Sequence, residues 1–332
     1  MAPMSTRIGP ISGRPTKLGL GFRKYPSLLR PRLGDRPVMD YQITENERSQ
    51  RLVALLQDTL GRQVEIISRL NYLLDRVAQL PAFYPPDDAQ HMIDLRTLLR
   101  PMTPEGGNFV RVGGANDGGY VMVDHGLDNT SVYNFGIGSE VTWDQAMAER
   151  GNIIYQFDHT IDAPPPIVGE TVFVRKGLGI SSDDHFVSLG DALSANDHCN
   201  RRNLVLNIDI EGGEWEILPH LGSYELAPFA QIVMELHGLL RTIVDPEFRT
   251  LVHDSLSTLF VTHQLVHVHA NNFGECAIAS GVLAYDVLEV TLLRKPGWKF
   301  TECDETFPRV LDRPNNAHRP ELRMGKWSQT NL

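Results

Sequence analysis

Apolar residues between positions 43 and 80 recur at helical spacing, and no proline interrupts them. The spacing alternates between three and four positions, and every residue of the series but Gln63 is apolar. The series is Val53, Leu56, Leu60, Gln63, Ile67, Leu70, Leu74 and Val77. Four such heptads predict a coiled-coil helix over 43–80 that joins copies of the chain into a homo-oligomer. Further apolar residues beside the seam, such as Leu52 and Leu73, leave a second interpretation open, in which the helix packs on its own domain.

The segments around this helix have a different composition. Residues 1–42 mix glycine and proline with basic residues, which predicts a disordered basic tail. The prolines of LPAFYPPDD end the helix and predict a linker over 81–90. Residues 301–332 follow the last predicted strand and are interpreted as a C-terminal tail.

Strand-like and helix-like segments alternate through residues 91–300. The predicted strands are 131–138, 152–160, 171–179, 203–212, 231–239 and 287–295, and the predicted helices are 142–151, 184–196, 214–221 and 245–260. Such alternation indicates an α/β domain, a mostly parallel sheet covered by helices on both faces. Ligands of these sheets bind beyond the carboxyl ends of the strands, so polar residues there are the candidates for function.

Net charge, cysteine content and the length of apolar runs disfavour several classes of function. The net charge of −10 disfavours a nucleic-acid partner, because phosphate contacts need a basic surface. Three cysteines without a CxxC pair disfavour a thiolate zinc site and a disulfide framework. No apolar run is long enough for a membrane span, and the N-terminus does not read as a secretory signal. We therefore expect a cytoplasmic protein.

A glycine turn and an acid suggest a nucleoside cofactor. Gly136 and Gly138 follow the first predicted strand, and Asp158 ends the second, 20 residues after Gly138. An acid at that place can accept hydrogen bonds from ribose hydroxyls. NAD would use the same geometry, but Val141 replaces the third glycine of its fingerprint and Glu140 would repel a pyrophosphate. S-adenosylmethionine has a cationic sulfonium and no phosphate, so the loop favours the methyl donor.

Two further strands deliver paired polar residues to the same edge. Asp209 and Glu211 stand two apart in NIDIEGG, and Glu235 and His237 stand two apart in MELHG, so each pair can face one side. His237 could act as a general base for a hydroxyl, with Asp209 and Glu211 beside it. The same side chains could bind a divalent cation, and Glu211 could merely cap the following helix.

Two sequence motifs of this domain resemble those of known methyltransferase families. LNIDIEGGEWEIL (206–218) resembles the signature of the FkbM-like methyltransferases, and RVGGANDGGY (111–120) with VYNFGIGSEVTWDQAMAERG and FDHT resembles a related methyltransferase-like family with a DGGY motif. The resemblance implies a Rossmann-like class I methyltransferase fold, S-adenosylmethionine as donor, and O-methylation of a small-molecule or glycan hydroxyl, such as that of a sugar or natural product. By position, Gly136, Gly138 and Asp158 would line the cofactor, and Asp209 would lie between cofactor and acceptor.

Weaker candidates surround this core. Arg111 and Asp117 could reach the amino-acid end of the donor, or only form a hairpin turn. Asp183 could meet the adenine amine or cap the next helix. The segment HVHANNFGE (267–275) is interpreted as a polar loop beside the acceptor, with metal binding as the alternative. A NAD-linked oxidoreductase and a non-catalytic coiled-coil scaffold with a degenerate fold remain the competing functions.

Overall fold

The computed structural model describes residues 49–57, 59–60, 63, 66–67, 82–84, 89–279 and 282–327. The chain divides into two units, residues 1–65 and 66–332. The predicted basic tail lies outside the described residues, as do positions 70, 74 and 77 of the predicted heptad seam.

Eighteen strands are described in the second unit. In chain order they are β1 (Ala82–Tyr84), β2 (Met102–Pro104), β3 (Phe109–Gly113), β4 (Gly119–Val123), β5 (Ser131–Phe135), β6 (Ile153–Phe157), β7 (Glu170–Val174), β8 (Gly177–Gly179), β9 (Phe186–Ser188), β10 (Leu204–Ile208), β11 (Phe229–Leu236), β12 (His263–Ala270), β13 (Cys276–Ala279), β14 (Val282–Tyr285), β15 (Leu288–Arg294), β16 (Phe300–Glu302), β17 (Thr306–Phe307) and β18 (Gly325–Lys326).

The helices of this unit lie between the strands. They are α1 (Ala89–Leu98), α2 (Thr142–Glu149), α3 (Leu189–Ser194), α4 (Glu214–Ile217), α5 (Ser223–Leu226), α6 (Arg241–Val244) and α7 (Pro246–Thr262), with a 3-10 turn at Leu218–His220. Asp245 caps α7 by accepting from the backbone N–H groups of Glu247 and Phe248, and Pro246 occupies the first turn, where its missing N–H costs nothing.

Seven strands form the central sheet, in the order β12-β15-β11-β10-β5-β6-β7. The pairs β10–β11, β10–β5, β5–β6 and β6–β7 are parallel, whereas β15 runs antiparallel to both β11 and β12. The order 3-2-1-4-5 within this sheet, counted from β5, is the Rossmann-like order. The sheet is therefore mixed but mostly parallel, as the sequence predicted.

Continuous apolar runs explain why these strands are central. Every residue of β5 and of β10 is buried, which is the pattern of strands covered on both faces. Alternate residues point to opposite faces: Tyr133 and Leu206 belong to the larger core cluster, and Val132 and Val205 to the second one. Each of the six predicted strands contributes a strand to this sheet, but residues 177–179 of the third form β8, which pairs with β9 in a separate two-stranded sheet. The predicted helix 184–196 is helical only over Leu189–Ser194, because Phe186–Ser188 form β9.

The seventh strand of the sheet is one that the sequence analysis did not predict. Residues His263–Ala270 form β12, so His267 and His269 lie within a buried strand and not in a loop beside the acceptor. The histidines are polar, and the segment was therefore interpreted as a loop. In the fold, His267 Nε2 lies 2.9 Å from Asp312 Oδ1, and His269 Nδ1 lies 2.7 Å from Glu289 Oε2. Paired polar groups can be buried at little cost, whereas unpaired ones cannot.

The C-terminal segment corrects a second expectation. Residues 301–327, predicted as part of a tail, pack into the domain: Cys303, Phe307, Met324 and Trp327 are all buried in the larger core cluster. β17 pairs with β18, and β16 pairs with β2. Part of the predicted linker also forms structure, because β1 pairs in parallel with β13.

The first unit is helical where it is described. Residues 49–57 are in helical conformation, as are 59–60 and 63; residues 66–67 of the second unit are helical as well. The apolar side chains there are exposed on the single chain, including Val53, Leu56 and Leu60 at 52%, 59% and 62%. The helix expected from the periodicity is present at these positions, and the coiled coil and the homo-oligomer stay predictions.

Within the part of the chain that is described, no helix has the length and apolar character to cross a membrane.

Trp327 tests whether the C-terminal segment belongs to the domain core. Its ring is 5% exposed, its Nε1 donates to the carbonyl of Arg96 at 2.8 Å, and the Arg96 guanidinium lies 4.4 Å from the ring centroid. We expect Trp327→Ala to lower the free energy of unfolding by about 3–5 kcal/mol in a denaturant titration. A change near zero would mean that the segment is a tail after all.

Candidate active site

A cavity of ≈ 790 Å³ opens at the carboxyl ends of the central strands. The residues after β5, β6 and β10 line it, together with β8 and the loop before β9. Its carboxylates are Asp117, Glu140, Asp158, Asp183, Asp209, Glu211 and Glu216, and the described lining contains no lysine or arginine. The cavity therefore carries strong negative charge and suits a ligand without phosphate groups.

Two loops meet at the floor of the cavity. Gly136 has φ +86°, and a Cβ there would lie 1.6 Å from the carbonyl oxygen of Asp209. Only glycine permits this approach, which brings the turn after β5 against the turn after β10. The backbone N–H of Asp209 also donates to the carbonyl of Phe135 at 2.9 Å. These two contacts hold the turn at Gly136 against Asp209.

Asp158 organises the glycine turn. Its Oδ2 accepts from the N–H groups of Ile137 and Gly138, both at 2.9 Å, and its Oδ1 accepts from the N–H and hydroxyl of Thr160. Burial opposes the charged form, but these hydrogen bonds outweigh it and lower the pKa of Asp158. The carboxylate stays ionised at the cavity wall.

The weaker candidates occupy different places. Asp183 lines the cavity while its Oδ1 accepts from the N–H groups of His185 and Phe186, so it caps the turn into β9. Asp117 also lines the cavity, at the DGGY turn. Arg111 is absent from the described lining: its Nε and Nη2 donate to the carbonyls of Gly114 and Asn116 and hold that turn.

Asp209, Glu211 and His237 come together, and we call these three residues the outer cluster. Each offers one ligand atom within 4.8 Å of the others. His237 Nε2 lies 3.8 Å from Asp209 Oδ1 and 3.6 Å from Glu211 Oε2. Glu211 adopts φ +55°, and its side chain is 88% exposed. Chemically, the cluster can hold a proton or a cation at the cavity edge.

Glu214 is a buried partner that the sequence analysis did not single out. Its side chain is fully buried, Oε2 accepts from the N–H of Gly212 at 2.9 Å, and Oε1 accepts from the N–H of His237 at 2.7 Å. His237 Nδ1 lies 3.1 Å from the same Oε1. Glu214 therefore fixes the end of β11 against the turn after β10. Its position directly after Gly212-Gly213, at the start of a helix that follows a buried strand, could have identified it in the sequence.

Burial and neighbouring carboxylates change the pKa values of Asp209 and His237 in the outer cluster. Burial alone would lower the pKa of His237, but hydrogen bonds to Glu214 and Glu235 outweigh it and raise the pKa to about 11. Burial, with repulsion from Glu235, raises the pKa of Asp209 to about 8. At neutral pH the imidazole is thus a cation held among carboxylates, and Asp209 is poised to exchange a proton.

Comparison with known proteins adds little to this geometry. No family model matches the chain, and no curated protein does. The similarity to the FkbM-like and DGGY-motif families therefore rests on the quoted motifs alone. Among solved structures the chain is similar to a fibrillarin/Nop5p complex (12% identity, 51% of this chain and 73% of that one, TM-score 0.30). It is also similar to the Methanococcus jannaschii fibrillarin pre-rRNA processing protein (12%, 51% and 68%, TM-score 0.27). Similarity this low carries no argument about the present chain.

The protonation of His237 can be measured directly. In chelator, the imidazole should keep its proton from pH 6 to 9 in an NMR titration, with the resonance assigned by its loss in His237→Gln. The folded chain binds this proton more tightly than the unfolded chain, so its stabilising contribution is full below about pH 6.5 and is lost as pH rises through about 11. An imidazole that loses its proton near pH 6.5 would contradict the stabilisation of its charged form by Glu214 and Glu235.

Proposed function

We propose that this protein is an S-adenosylmethionine-dependent methyltransferase. The observation that carries the proposal is the cavity at the carboxyl edge of a Rossmann-like sheet, with its glycine turn, its acidic second-strand residue Asp158 and no described lysine or arginine in the lining. A nucleoside that bears a sulfonium and an ammonium matches this charge. The adenine and ribose would lie toward Asp183 and Asp158, and the methyl group toward Asp209.

A nicotinamide dinucleotide fits the same cavity less well. Its pyrophosphate needs N–H groups and basic side chains, whereas Glu140 follows the glycine turn and lines the cavity. The all-parallel dinucleotide-binding order also lacks an antiparallel strand such as β15. These features favour the methyl donor over the oxidoreductase alternative.

The proposed reaction is methyl transfer to a hydroxyl. The hydroxyl oxygen attacks the methyl carbon, the carbon–sulfur bond breaks, its electron pair goes to sulfur, and the hydroxyl proton passes to a base. Asp209 is the proposed base because its raised pKa lies near neutral pH. His237 is already protonated in this environment, so its role shifts from base to cation that positions Asp209 and Glu211, unless a divalent ion binds the outer cluster.

The acceptor follows from charge and from the motif resemblance. A sugar or natural-product hydroxyl, free or in a glycan, is neutral and can enter an acidic cavity. A nucleic-acid backbone would be repelled there. We therefore propose a small-molecule or glycan acceptor, with methylation on oxygen.

Asp158 provides the binding test. Asp158→Ala removes the acceptor for the N–H groups of Ile137 and Gly138, with each hydrogen bond contributing about 1.5–3 kcal/mol, and so releases the glycine turn against which the ribose would lie. Calorimetry should show S-adenosylmethionine binding weakened about tenfold or more. Asp162→Ala, which removes an exposed carboxylate paired with Arg175, is the matched control and should bind like wild type. A folded Asp158→Ala protein with unchanged affinity would refute the assignment.

The exposed helical stripe supports a homo-oligomer as a further proposal. Val53, Leu56 and Leu60 are more than half exposed, and apolar stripes of this kind are normally covered by a partner helix. Leu56→Glu with Leu60→Glu should convert the oligomer to a monomer in light scattering and leave donor binding intact. A monomeric wild-type chain would remove the proposal.

A further inference from the structure

The carboxylates that line the cavity differ in how far the protein itself stabilises their charge. Asp158 accepts four hydrogen bonds, from the N–H groups of Ile137 and Gly138 and from the N–H and hydroxyl of Thr160. Asp183 accepts two, both from backbone N–H groups. Hydrogen bonds to a carboxylate favour its charged form without a counter-ion. The charges of these two residues are therefore stabilised before any ligand binds.

Asp209 and Glu211 have no such donors. Within the part of the chain that is described, no group donates a hydrogen bond to either carboxylate, and their ion-pair partner is His237, whose Nε2 lies 3.8 Å and 3.6 Å away. That imidazole is shared, because its Nε2 also lies 3.3 Å from Glu235 and its Nδ1 lies 3.1 Å from Glu214. One positive charge thus serves four carboxylates.

Both residues with this partly compensated charge face the cavity. Asp209 and Glu211 follow β10 directly and belong to the lining, on the side where the methyl group of the donor would lie. Burial and repulsion from Glu235 raise the pKa of Asp209 to about 8, although His237 acts in the opposite direction. A positive charge on a ligand would therefore be stabilised at this wall of the cavity.

Glu211 also has a backbone conformation that favours glycine. Its φ is +55°, in the left-handed region that residues with a Cβ rarely adopt. Its side chain is 88% exposed, so packing does not explain why a glutamate stands there. Backbone strain of this kind concentrates at functional sites. The carboxylate that Glu211 adds to the cavity is the property that a glycine would lack.

We propose that Asp209 and Glu211 are specificity-determining residues that make the cavity bind S-adenosylmethionine more tightly than S-adenosylhomocysteine. The inference rests on the proposed function. Methyl transfer turns the sulfonium into a neutral thioether, because the electron pair of the broken carbon–sulfur bond stays on sulfur. The donor therefore carries one more positive charge than the product, and the two carboxylates attract that charge. The product is then held weakly, which limits its inhibition of the next cycle.

The test is calorimetry of the full chain with three nucleosides. Wild type should bind S-adenosylmethionine about tenfold or more tightly than S-adenosylhomocysteine, a difference of about 1.4 kcal/mol. Sinefungin, which carries an ammonium in place of the methylsulfonium, should bind like the donor, since the charge and not the methyl group is recognised. The preference for the two cationic nucleosides should decrease as salt is added.

Variants of Glu211 separate a role in specificity from a role in the fold. Glu211→Gln should weaken binding of S-adenosylmethionine about threefold and leave binding of S-adenosylhomocysteine unchanged. Glu302→Gln, which neutralises an exposed carboxylate paired with Arg100, is the matched control and should keep the wild-type preference. Glu211→Gly removes the same charge and relieves the positive φ. It should therefore reduce the preference while it raises the free energy of unfolding in a denaturant titration.

Two outcomes would overturn this inference alone. One is wild-type protein that binds S-adenosylhomocysteine as tightly as S-adenosylmethionine or more tightly. The other is a preference that remains unchanged in both Glu211 variants and in Asp209→Asn. Failure of all three nucleosides to bind would instead overturn the proposed function, and this inference with it.

Discussion

Repulsion among carboxylates at the carboxyl edge of the sheet is the interaction on which the site depends. Asp209, Glu211, Glu214 and Glu235 surround one imidazole, and the described residues supply no lysine or arginine to pair with them. Burial and repulsion from Glu235 raise the pKa of Asp209, and hydrogen bonds to Glu214 and Glu235 hold a proton on His237. A ligand that enters this region is favoured if it brings positive charge and disfavoured if it brings phosphate.

The fold holds these repelling groups with neutral contacts. Gly136 lets the turn after β5 touch the backbone of Asp209, and Asp158 gathers the N–H groups of that turn. Glu214 does the same for the turn after β10 and the end of β11. Backbone N–H groups thus stabilise negative charge without adding a basic side chain that would compete with a cationic ligand. The acidic cavity is a property of the backbone arrangement as much as of the side chains.

The sequence predicted the parts of this arrangement that are local. Buried apolar runs such as Leu204–Ile208 identify central strands, and residues that directly follow them, such as Asp209, fall at the carboxyl edge. It did not predict β12, because the histidines of this strand look polar in the sequence and their partners lie 20 or more residues away. Nor did it predict Asn315, which lies in a segment without periodicity and meets Asp117 and Glu289 only through the tertiary fold. Pairings of this kind have no local signature.

The central claim, that the cavity selects a cationic nucleoside without phosphate, is tested most directly by parallel calorimetric titrations of the purified chain with S-adenosylmethionine and NAD⁺ in one buffer. The charge of the lining predicts saturable binding of S-adenosylmethionine, weakened by salt, and no measurable binding of NAD⁺. Binding of NAD⁺ without binding of S-adenosylmethionine would contradict the account.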